Sequence, residues 1–177
     1  MPGHGACLIR EMRSDDLDRV VVLEKEIFSS PWSADMFLYE LNRDGNAVFL
    51  VAEDSQKLCG YIGAQILDQE VHITNMAVET GVRRRGLGSA LLIECIREGM
   101  KCGARWLTLE VRRDNDEARL FYKVFGFDEL GVRYGYYEDT GQDAVIMGTG
   151  DIRSADFTEL IAGIERRARI RGGDGAC

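Results

Sequence analysis

The feature that most constrains this chain is an apolar strand that leads through a basic, glycine-containing turn into a helix. Met76-Ala77-Val78 is followed, five residues later, by Arg83-Arg84-Arg85-Gly86-Leu87-Gly88-Ser89. Gly86 and Gly88 lack a Cβ, so the oxygens of an anion can approach the backbone, and the N–H groups of the first helical turn point toward it. The spacing matches neither GxGxxG nor the P-loop pattern. The sequence therefore predicts a phosphate-binding turn of another kind.

Hydrophobic periodicity predicts a central sheet with helices on both faces. Strands are predicted over residues 8–12, 47–53, 58–67, 71–78 and 106–111, with a hairpin around 54–57 and two further strands closing the sheet. Helices are predicted after an N-cap at Ser14, after Trp32, from the phosphate-binding turn to about Cys102, and between an N-cap at Asn115 and a stop at Gly126. The pattern indicates one domain over residues 1–150.

The segment 151–177 is predicted to be a C-terminal extension. Phe157, Leu160, Ile161 and Ile164 recur at helical spacing, which predicts a helix, and we expect it to pack on its own domain. The glycine-rich end is expected to be disordered.

Composition excludes several classes of protein. The 177 residues are 45% hydrophobic, enough for one sizeable core, and no apolar run is long enough to span a membrane. The N-terminus lacks the pattern of a secretory signal, so a cytoplasmic location is expected.

Five widely spaced cysteines and two histidines predict neither a disulfide framework nor a metal site. We interpret Cys59, Cys95 and Cys102 as core residues and His72 as an ordinary strand residue.

The formal net charge is −8. A protein that grips a phosphate backbone over a broad surface carries the opposite sign, so nucleic acid is not expected as a direct partner. An acidic surface attracts a cationic acceptor such as an amine or a basic peptide terminus, although acidity is also a route to solubility. The oligomeric state stays open.

Arg83, Gly86 and Gly88 match the motif Q/R-x-x-G-x-G/A, and here the chain resembles the GNAT superfamily of acetyl-CoA-dependent N-acetyltransferases. Downstream residues are similar to the signature LEVR-x-x-N-x-x-A-x-x-x-Y-x-x-x-GF of its RimI-type N-terminal acetyltransferases. The matching residues are Leu109-Glu110-Val111-Arg112, Asn115, Ala118, Tyr122 and Gly126-Phe127, with Pro31-Trp32-Ser33 upstream and Arg133–Tyr137 and Asp143–Met147 farther on. The resemblance covers residues 8–149 in the correct order.

This resemblance implies a GNAT fold: a mixed, mostly antiparallel sheet of about seven strands, flanked by about four helices, with the C-terminal helix in addition. It implies acetyl-CoA as cosubstrate and no metal. The implied coenzyme-binding residues are Met76, Ala77, Val78, Arg83, Arg84, Arg85, Gly86, Leu87, Gly88, Ser89 and Asn115. Trp32, Tyr136 and Tyr137 are assigned by the same resemblance to the acceptor side, although each could equally fill a core.

Glu110 and Tyr122 are the predicted catalytic residues. An α-amine with a pKa of about 8 must lose a proton before it attacks a thioester, so a base is needed. Glu110 shares a strand face with Trp106 and Thr108, and among apolar neighbours its pKa is expected to lie above the ordinary value. Tyr122 matches the position of the family's general acid, which assists the departing thiolate. The alternative interpretations are a solvated glutamate and a core tyrosine.

The resemblance implies acetyl transfer to the N-terminal alanine amine of a small-subunit ribosomal protein, number eighteen, through its basic N-terminal peptide. Two alternatives stay open. One is a related acetyltransferase with a broader N-terminal, lysine or small-amine acceptor, because one fold supports many functions. The other is a catalytically silent module that binds coenzyme A, which the presence of both Glu110 and Tyr122 disfavours.

Overall fold

The computed structural model describes residues 7–43, 45–54 and 57–173. Within them the strands are β1 (Leu8–Glu11), β2 (Ala47–Asp54), β3 (Lys57–Leu67), β4 (Glu70–Val78), β5 (Trp106–Arg112), β6 (Asp128–Tyr137) and β7 (Gln142–Gly148). The helices are α1 (Leu17–Ile27), α2 (Ala34–Leu41), α3 (Leu87–Lys101), α4 (Asp116–Val124) and α5 (Ala155–Gly173). The sheet order is β1-β2-β3-β4-β5-β7-β6. The predicted mixed α/β fold with about seven strands is confirmed.

The chain divides into two compact units. The first unit comprises Met1–Gln65 and Thr74–Glu98, and the second comprises Ile66–Ile73 and Gly99–Cys177. Strand β4 therefore contributes residues 70–73 to the second unit and 74–78 to the first.

In the first unit, α1 and α2 pack on the antiparallel strands β1, β2 and β3. The buried apolar residues of this core include Val20, Leu23, Phe37, Phe49, Val51 and Tyr61. Phe37 lies at the centre of an aromatic cluster, with its ring centroid 5.6 Å from that of Tyr61 and 6.2 Å from that of Phe49. The predicted hairpin is confirmed because Asp54 pairs with Lys57, while residues 55 and 56 between them lie outside the described part.

The start of α1 differs from the prediction. Ser14 is the first residue of a short 3-10 turn, Ser14–Asp16, and does not cap the helix. Asp16 occupies the position before α1, but its side chain makes no hydrogen bond to the helix. Its buried carboxylate instead accepts a hydrogen bond from the backbone N–H of Arg13 at 2.8 Å and ion pairs with Arg10 at 2.7 Å and Arg19 at 2.6 Å. These charge-assisted contacts hold the segment that precedes α1.

In the second unit, residues 70–73 of β4 pair with β5 in parallel, and β7 lies antiparallel between β5 and β6. Gly126 ends α4 at a φ of +79°, as its position predicted. Helix α5 packs in this unit, with Phe157 and Ile164 buried. The side chain of Leu160 lies so near Gly126 that an added Cβ would be 3.1 Å from it.

Two expectations about individual segments need correction. Cys59 and Cys95 are buried, but Cys102 is exposed, because it follows the last residue of α3 instead of facing the core. Helix α5 also extends through Gly172 and Gly173, where a disordered end was expected, and residues 174–177 lie outside the described part. None of the helices in the described segments is long and apolar enough to cross a membrane.

The Asp16 carboxylate predicts a pH-dependent contribution to stability. The hydrogen bond from Arg10 is the main cause that lowers the pKa of Asp16 to about 2. A carboxylate with a lowered pKa stabilises the fold above its unfolded pKa of about 3.8, and this contribution is lost as the pH falls toward 2. We expect Asp16→Asn to lower the free energy of unfolding by about 2 kcal/mol at pH 7. Urea denaturation between pH 2 and pH 7 measures it.

The exposed neighbour variant Asp15→Asn is the control and should leave stability nearly unchanged. A destabilisation by Asp16→Asn that stays constant down to pH 2 would contradict the assignment.

Candidate active site

The turn that the sequence predicts to bind a phosphate lies in the first unit. After β4 the chain makes a short 3-10 turn, Thr80–Val82, and α3 begins at Leu87. The first helical hydrogen bond runs from the N–H of Ala90 to the carbonyl of Gly86 at 2.9 Å. The N–H groups of residues 87–89 therefore precede the helical ladder and point out of the helix end, where an anion is favoured.

Backbone conformation explains why glycine stands at position 86. Gly86 has a φ of +84°, and Arg84 has a φ of +62°, a region that non-glycine residues seldom adopt. A Cβ built on Gly86 would meet no atom within 4 Å, so the space above it is open. The side chains of Arg83, Arg84 and Arg85 are exposed around this turn. Open backbone, a helix N-terminus and three guanidinium groups fit a pyrophosphate group.

Arg83 also makes a contact that sequence reasoning missed. Its Nε donates a hydrogen bond to the carbonyl of Val78 at 3.0 Å, which ties the turn to the end of β4. Of the three strand residues assigned to the coenzyme, Ala77 is buried, and Met76 and Val78 are half-buried. The strand β3 approaches closely at Gly60, where a Cβ would lie 2.8 Å from the carbonyl oxygen of Ala77.

A buried carboxylate that the sequence analysis overlooked joins four segments of the first unit. Glu24, only 1% exposed, accepts hydrogen bonds from the N–H of Trp32 at 3.0 Å, from Nδ2 of Asn75 at 3.3 Å and from the hydroxyl of Tyr61. Burial raises the pKa of Glu24 above its ordinary value, although the three hydrogen-bond donors each act to lower it. A charged residue one helical turn after Val20, on the apolar face of α1, was the signal available in the sequence.

Trp32 lies in the turn that Glu24 holds. Its ring centroid is 5.2 Å from that of Phe37, and the side chain is half-buried. Part of the indole therefore belongs to the core of the first unit, and part remains accessible.

In the second unit, Glu110 lies on the partly exposed face of β5 with Trp106 and Thr108, as the alternation predicted. Its side chain is 8% exposed, with Oε2 3.1 Å from Nε2 of His72 and Oε1 3.2 Å from Nη2 of Arg133. The expected rise of its pKa is wrong. The hydrogen bond with His72 lowers the pKa of Glu110 despite burial, and the charge of Arg133 adds to this effect.

His72 is therefore more than an ordinary strand residue. Its Nε2 faces Glu110, and its Nδ1 lies 2.8 Å from Oγ1 of Thr108, directly opposite on β5. The sequence contained a weak signal, since strand alternation places His72 on the half-buried face of β4. The pairing of β4 with β5, which brings it to Glu110, could not be read from the sequence.

Asn115 and Tyr122 lie on α4, also in the second unit. The side chain of Asn115 accepts a hydrogen bond from the N–H of Ala118 at 3.1 Å, so the predicted N-cap is confirmed. Tyr122 is 9% exposed, and its ring packs against Phe121 at 5.2 Å and Phe127 at 5.4 Å between centroids. The Tyr122 ring thus fills the core face of α4.

Tyr136 and Tyr137 stand at the end of β6, with ring centroids 5.1 Å apart. Arg133 lies over the Tyr136 ring at 5.7 Å, and Arg112 lies over the Tyr137 ring at 3.9 Å. Burial and the charge of Glu110 raise the pKa of Tyr136, and burial raises the pKa of Tyr137 to about 12. With pKa values above that of an ordinary tyrosine, both hydroxyls stay protonated at neutral pH.

The second unit thus brings Glu110 and Tyr136 together, and the first unit brings together the strand and the turn that the resemblance assigns to the coenzyme. Among the described residues there is no group of three or more histidine, cysteine, aspartate or glutamate side chains that could hold a metal ion.

Comparisons with known proteins agree with this geometry. The acetyltransferase (GNAT) family matches residues 17–127. A Bacillus subtilis (strain 168) protein provisionally named ribosomal protein bS18-alanine N-acetyltransferase is 40% identical over 139 residues, which are 78% of this chain and 92% of that protein. The ribosomal protein bS18-alanine N-acetyltransferase of Escherichia coli (strain K12) is 32% identical over 78% of this chain and 94% of its own length.

Solved structures support the same relationship. The crystal structure of the ribosomal-protein-S18-alanine N-acetyltransferase from Escherichia coli matches with a TM-score of 0.74 and 30% identity, covering 82% of this chain and 94% of that one. Sequence and fold agree along the same segment of the chain. This protein belongs to the acetyltransferase (GNAT) family and is an N-acetyltransferase.

Proposed function

We propose that this enzyme transfers the acetyl group of acetyl-CoA to the N-terminal α-amine of a protein, and that its substrate is the N-terminal alanine of ribosomal protein bS18. The acceptor assignment rests on two relatives named for this activity, at 40% and 32% identity over more than nine-tenths of their lengths. The proposed catalytic domain spans residues 1–150, with 151–177 as an extension.

The structural observation that carries the acetyl-CoA assignment is the turn at residues 83–89. Gly86 opens the backbone, the first N–H groups of α3 point outward, and three exposed arginines supply positive charge. We infer that residues 83–89 hold the pyrophosphate, and that the backbone of Met76, Ala77 and Val78 contacts the pantetheine arm. Asn115 is proposed as a further coenzyme contact. Acetyl-CoA supplies the activated acetyl group as a thioester.

Glu110 is proposed as the base that takes a proton from the acceptor ammonium, and Tyr122 as the acid that assists the leaving thiolate. The side chain of Glu110 is 8% exposed, and its two oxygens are held by His72 and Arg133, so the carboxylate is fixed in a position to take a proton from an adjacent water or ammonium group. The free amine then attacks the thioester carbonyl, the carbon–nitrogen bond forms and the carbon–sulfur bond breaks.

Trp32, Tyr136 and Tyr137 are proposed to contact the acceptor peptide. Tyr136 is 42% exposed, so one face of its ring is available to a ligand. The net charge of −8 favours a basic peptide through long-range attraction.

The role of the turn predicts a specific effect of Gly86→Ala. A Cβ at a positive φ strains the backbone and enters the open space above the turn, so we expect acetyl-CoA binding to weaken at least tenfold, or by about 1.4 kcal/mol. Isothermal titration calorimetry measures the dissociation constant. Gly103→Ala is the matched control, because Gly103 also has a positive φ of +98° and open space around it. Equal affinity in folded Gly86→Ala and Gly103→Ala proteins would refute the assignment.

The chemical roles predict that Glu110→Gln and Tyr122→Phe keep acetyl-CoA affinity within a few-fold but lower kcat by about 10²–10⁴. Raising the pH should partly rescue Glu110→Gln, because solvent then deprotonates the α-amine. Steady-state kinetics between pH 6 and pH 9.5 test both variants. The exposed substitutions Glu138→Gln and Tyr134→Phe serve as controls. A Glu110→Gln enzyme with the wild-type rate at pH 7 is incompatible with the base role.

The acceptor assignment is tested with peptides carrying the N-terminal sequence of bS18. A peptide that begins with alanine should be acetylated far better than the same peptide with a blocked terminus and free lysines. Mass spectrometry of the products will show whether the acetyl group is on the α-amine or on a lysine. Tyr136→Ala should raise the peptide KM and leave the acetyl-CoA KM unchanged. Tyr134→Ala, at an 81% exposed position of the same strand, should leave both values unchanged. Preferred acetylation of lysine side chains or polyamines would contradict the proposal.

A further inference from the structure

A row of polar side chains crosses three strands of the second unit. Thr108 donates a hydrogen bond from its hydroxyl to Glu70, and its Oγ1 lies 2.8 Å from Nδ1 of His72. Nε2 of His72 lies 3.1 Å from Oε2 of Glu110, whose Oε1 lies 3.2 Å from Nη2 of Arg133. The base proposed above is therefore one member of a connected row, and His72 is its direct neighbour.

The direction of each hydrogen bond follows from counting protons. A threonine hydroxyl has one proton, and here it goes to the carboxylate of Glu70. Oγ1 of Thr108 can then only accept from His72, so Nδ1 of His72 carries a proton. The second ring nitrogen, Nε2, faces a carboxylate oxygen that has no proton of its own when Glu110 is ionised. A contact at 3.1 Å is favourable only if one proton lies between Nε2 and Oε2.

We propose that His72 and Glu110 act as a single proton acceptor, in which the proton removed from the acceptor amine is held between Nε2 of His72 and Oε2 of Glu110. His72 acts through Glu110 and is a positioning residue. When the pair has no proton, two lone pairs face each other, and this repulsion favours the uptake of one proton by the pair as a whole, while the carboxylate of Glu110 alone becomes harder to protonate. Histidine also changes charge near neutral pH, where a base for an α-amine has to work.

This inference rests on the proposed function, and the protons balance. The ammonium of the acceptor gives one proton to the pair and becomes a free amine, which forms the carbon–nitrogen bond. The nitrogen loses its second proton, and the departing thiolate of coenzyme A gains one. The pair then releases its proton to solvent, so each turnover liberates one proton.

The other charged groups around the pair set its proton affinity. Glu70, on the same strand as His72, lies 3.8 Å from Nδ1, so its negative charge is close to the pair. Arg133 contacts Glu110 from β6 and opposes proton uptake, and the hydroxyl of Tyr136 stays protonated beside Glu110. The activity of a variant that replaces the imidazole of His72 must therefore be compared with that of the wild-type enzyme over a range of pH.

The kinetic test compares the wild-type enzyme with His72→Gln, which keeps a hydrogen-bond donor near Nε2 but cannot carry a proton. At saturating acetyl-CoA and peptide, we expect kcat at neutral pH to fall about tenfold or more, and the acidic limb of the kcat profile to move by at least about one pH unit to lower pH. His72→Asn, which keeps only the contact to Thr108, should behave in the same way and guards against a folding defect in one variant.

The double variant His72→Gln with Glu110→Gln should be no slower than Glu110→Gln alone by more than about threefold, because groups that act as one unit have non-additive effects. A uniform loss of kcat with an unmoved acidic limb, or a double variant with multiplied losses, would overturn the proposal by showing that His72 only supports the strand.

An acceptor-independent measurement separates this proposal from the proposed function. The chain has two histidines, so the imidazole NMR signal of His72 is assigned by its loss in His72→Gln. In the ligand-free protein at one fixed pH, the ¹⁵N shift of Nε2 should move toward that of an unprotonated ring nitrogen in Glu110→Gln, because the partner oxygen 3.1 Å away no longer shares a proton. An unchanged ¹⁵N shift overturns the shared proton. A chain that shows the changed ¹⁵N shift but acetylates no amine refutes the proposed function instead.

Discussion

A single carboxylate taken out of water organises the first unit. Glu24 is 1% exposed, and burial of a charge is costly unless hydrogen-bond donors replace the lost water. The three donors come from the turn before α2, from β3 and from β4, which are distant in sequence. Satisfying one group therefore fixes the positions of Trp32, Tyr61 and Asn75 with respect to α1. The same contact fixes the end of β4 that follows Asn75, and with it the start of the turn proposed to bind the pyrophosphate.

Two glutamates in this protein differ because of their surroundings. Glu24 meets only neutral donors, so burial dominates and its pKa rises. Glu110 meets a histidine and an arginine, so its pKa falls even though it is nearly as enclosed. The first arrangement suits a fixed structural role, and the second suits the proton transfer proposed for Glu110. The surroundings, and not the residue type, thus decide how a glutamate is protonated in each unit.

Local features were predicted well from the sequence, and pairings between distant segments were not. The turn at Gly86, the cap at Asn115 and the stop at Gly126 depend on residues within a few positions, so their patterns sufficed. Glu110 was placed on the correct strand face, but the direction of its pKa shift was wrong because His72 and Arg133 are brought to it by strand pairing. The cap predicted at Ser14 was wrong, and the ion pairs before α1 could not be predicted from local sequence, since one of the two arginines that contact Asp16 comes from β1.

The pairing of His72 with Thr108 has a consequence for how such a site tolerates sequence change. The two residues are held opposite each other by the backbone ladder of β4 and β5, although 36 positions separate them. A change of length in the loop between α3 and β5 need not disturb this alignment, whereas a slip of one residue in the ladder turns His72 to the opposite face of the sheet. The strand register, more than the length of that loop, therefore determines which residue faces Thr108.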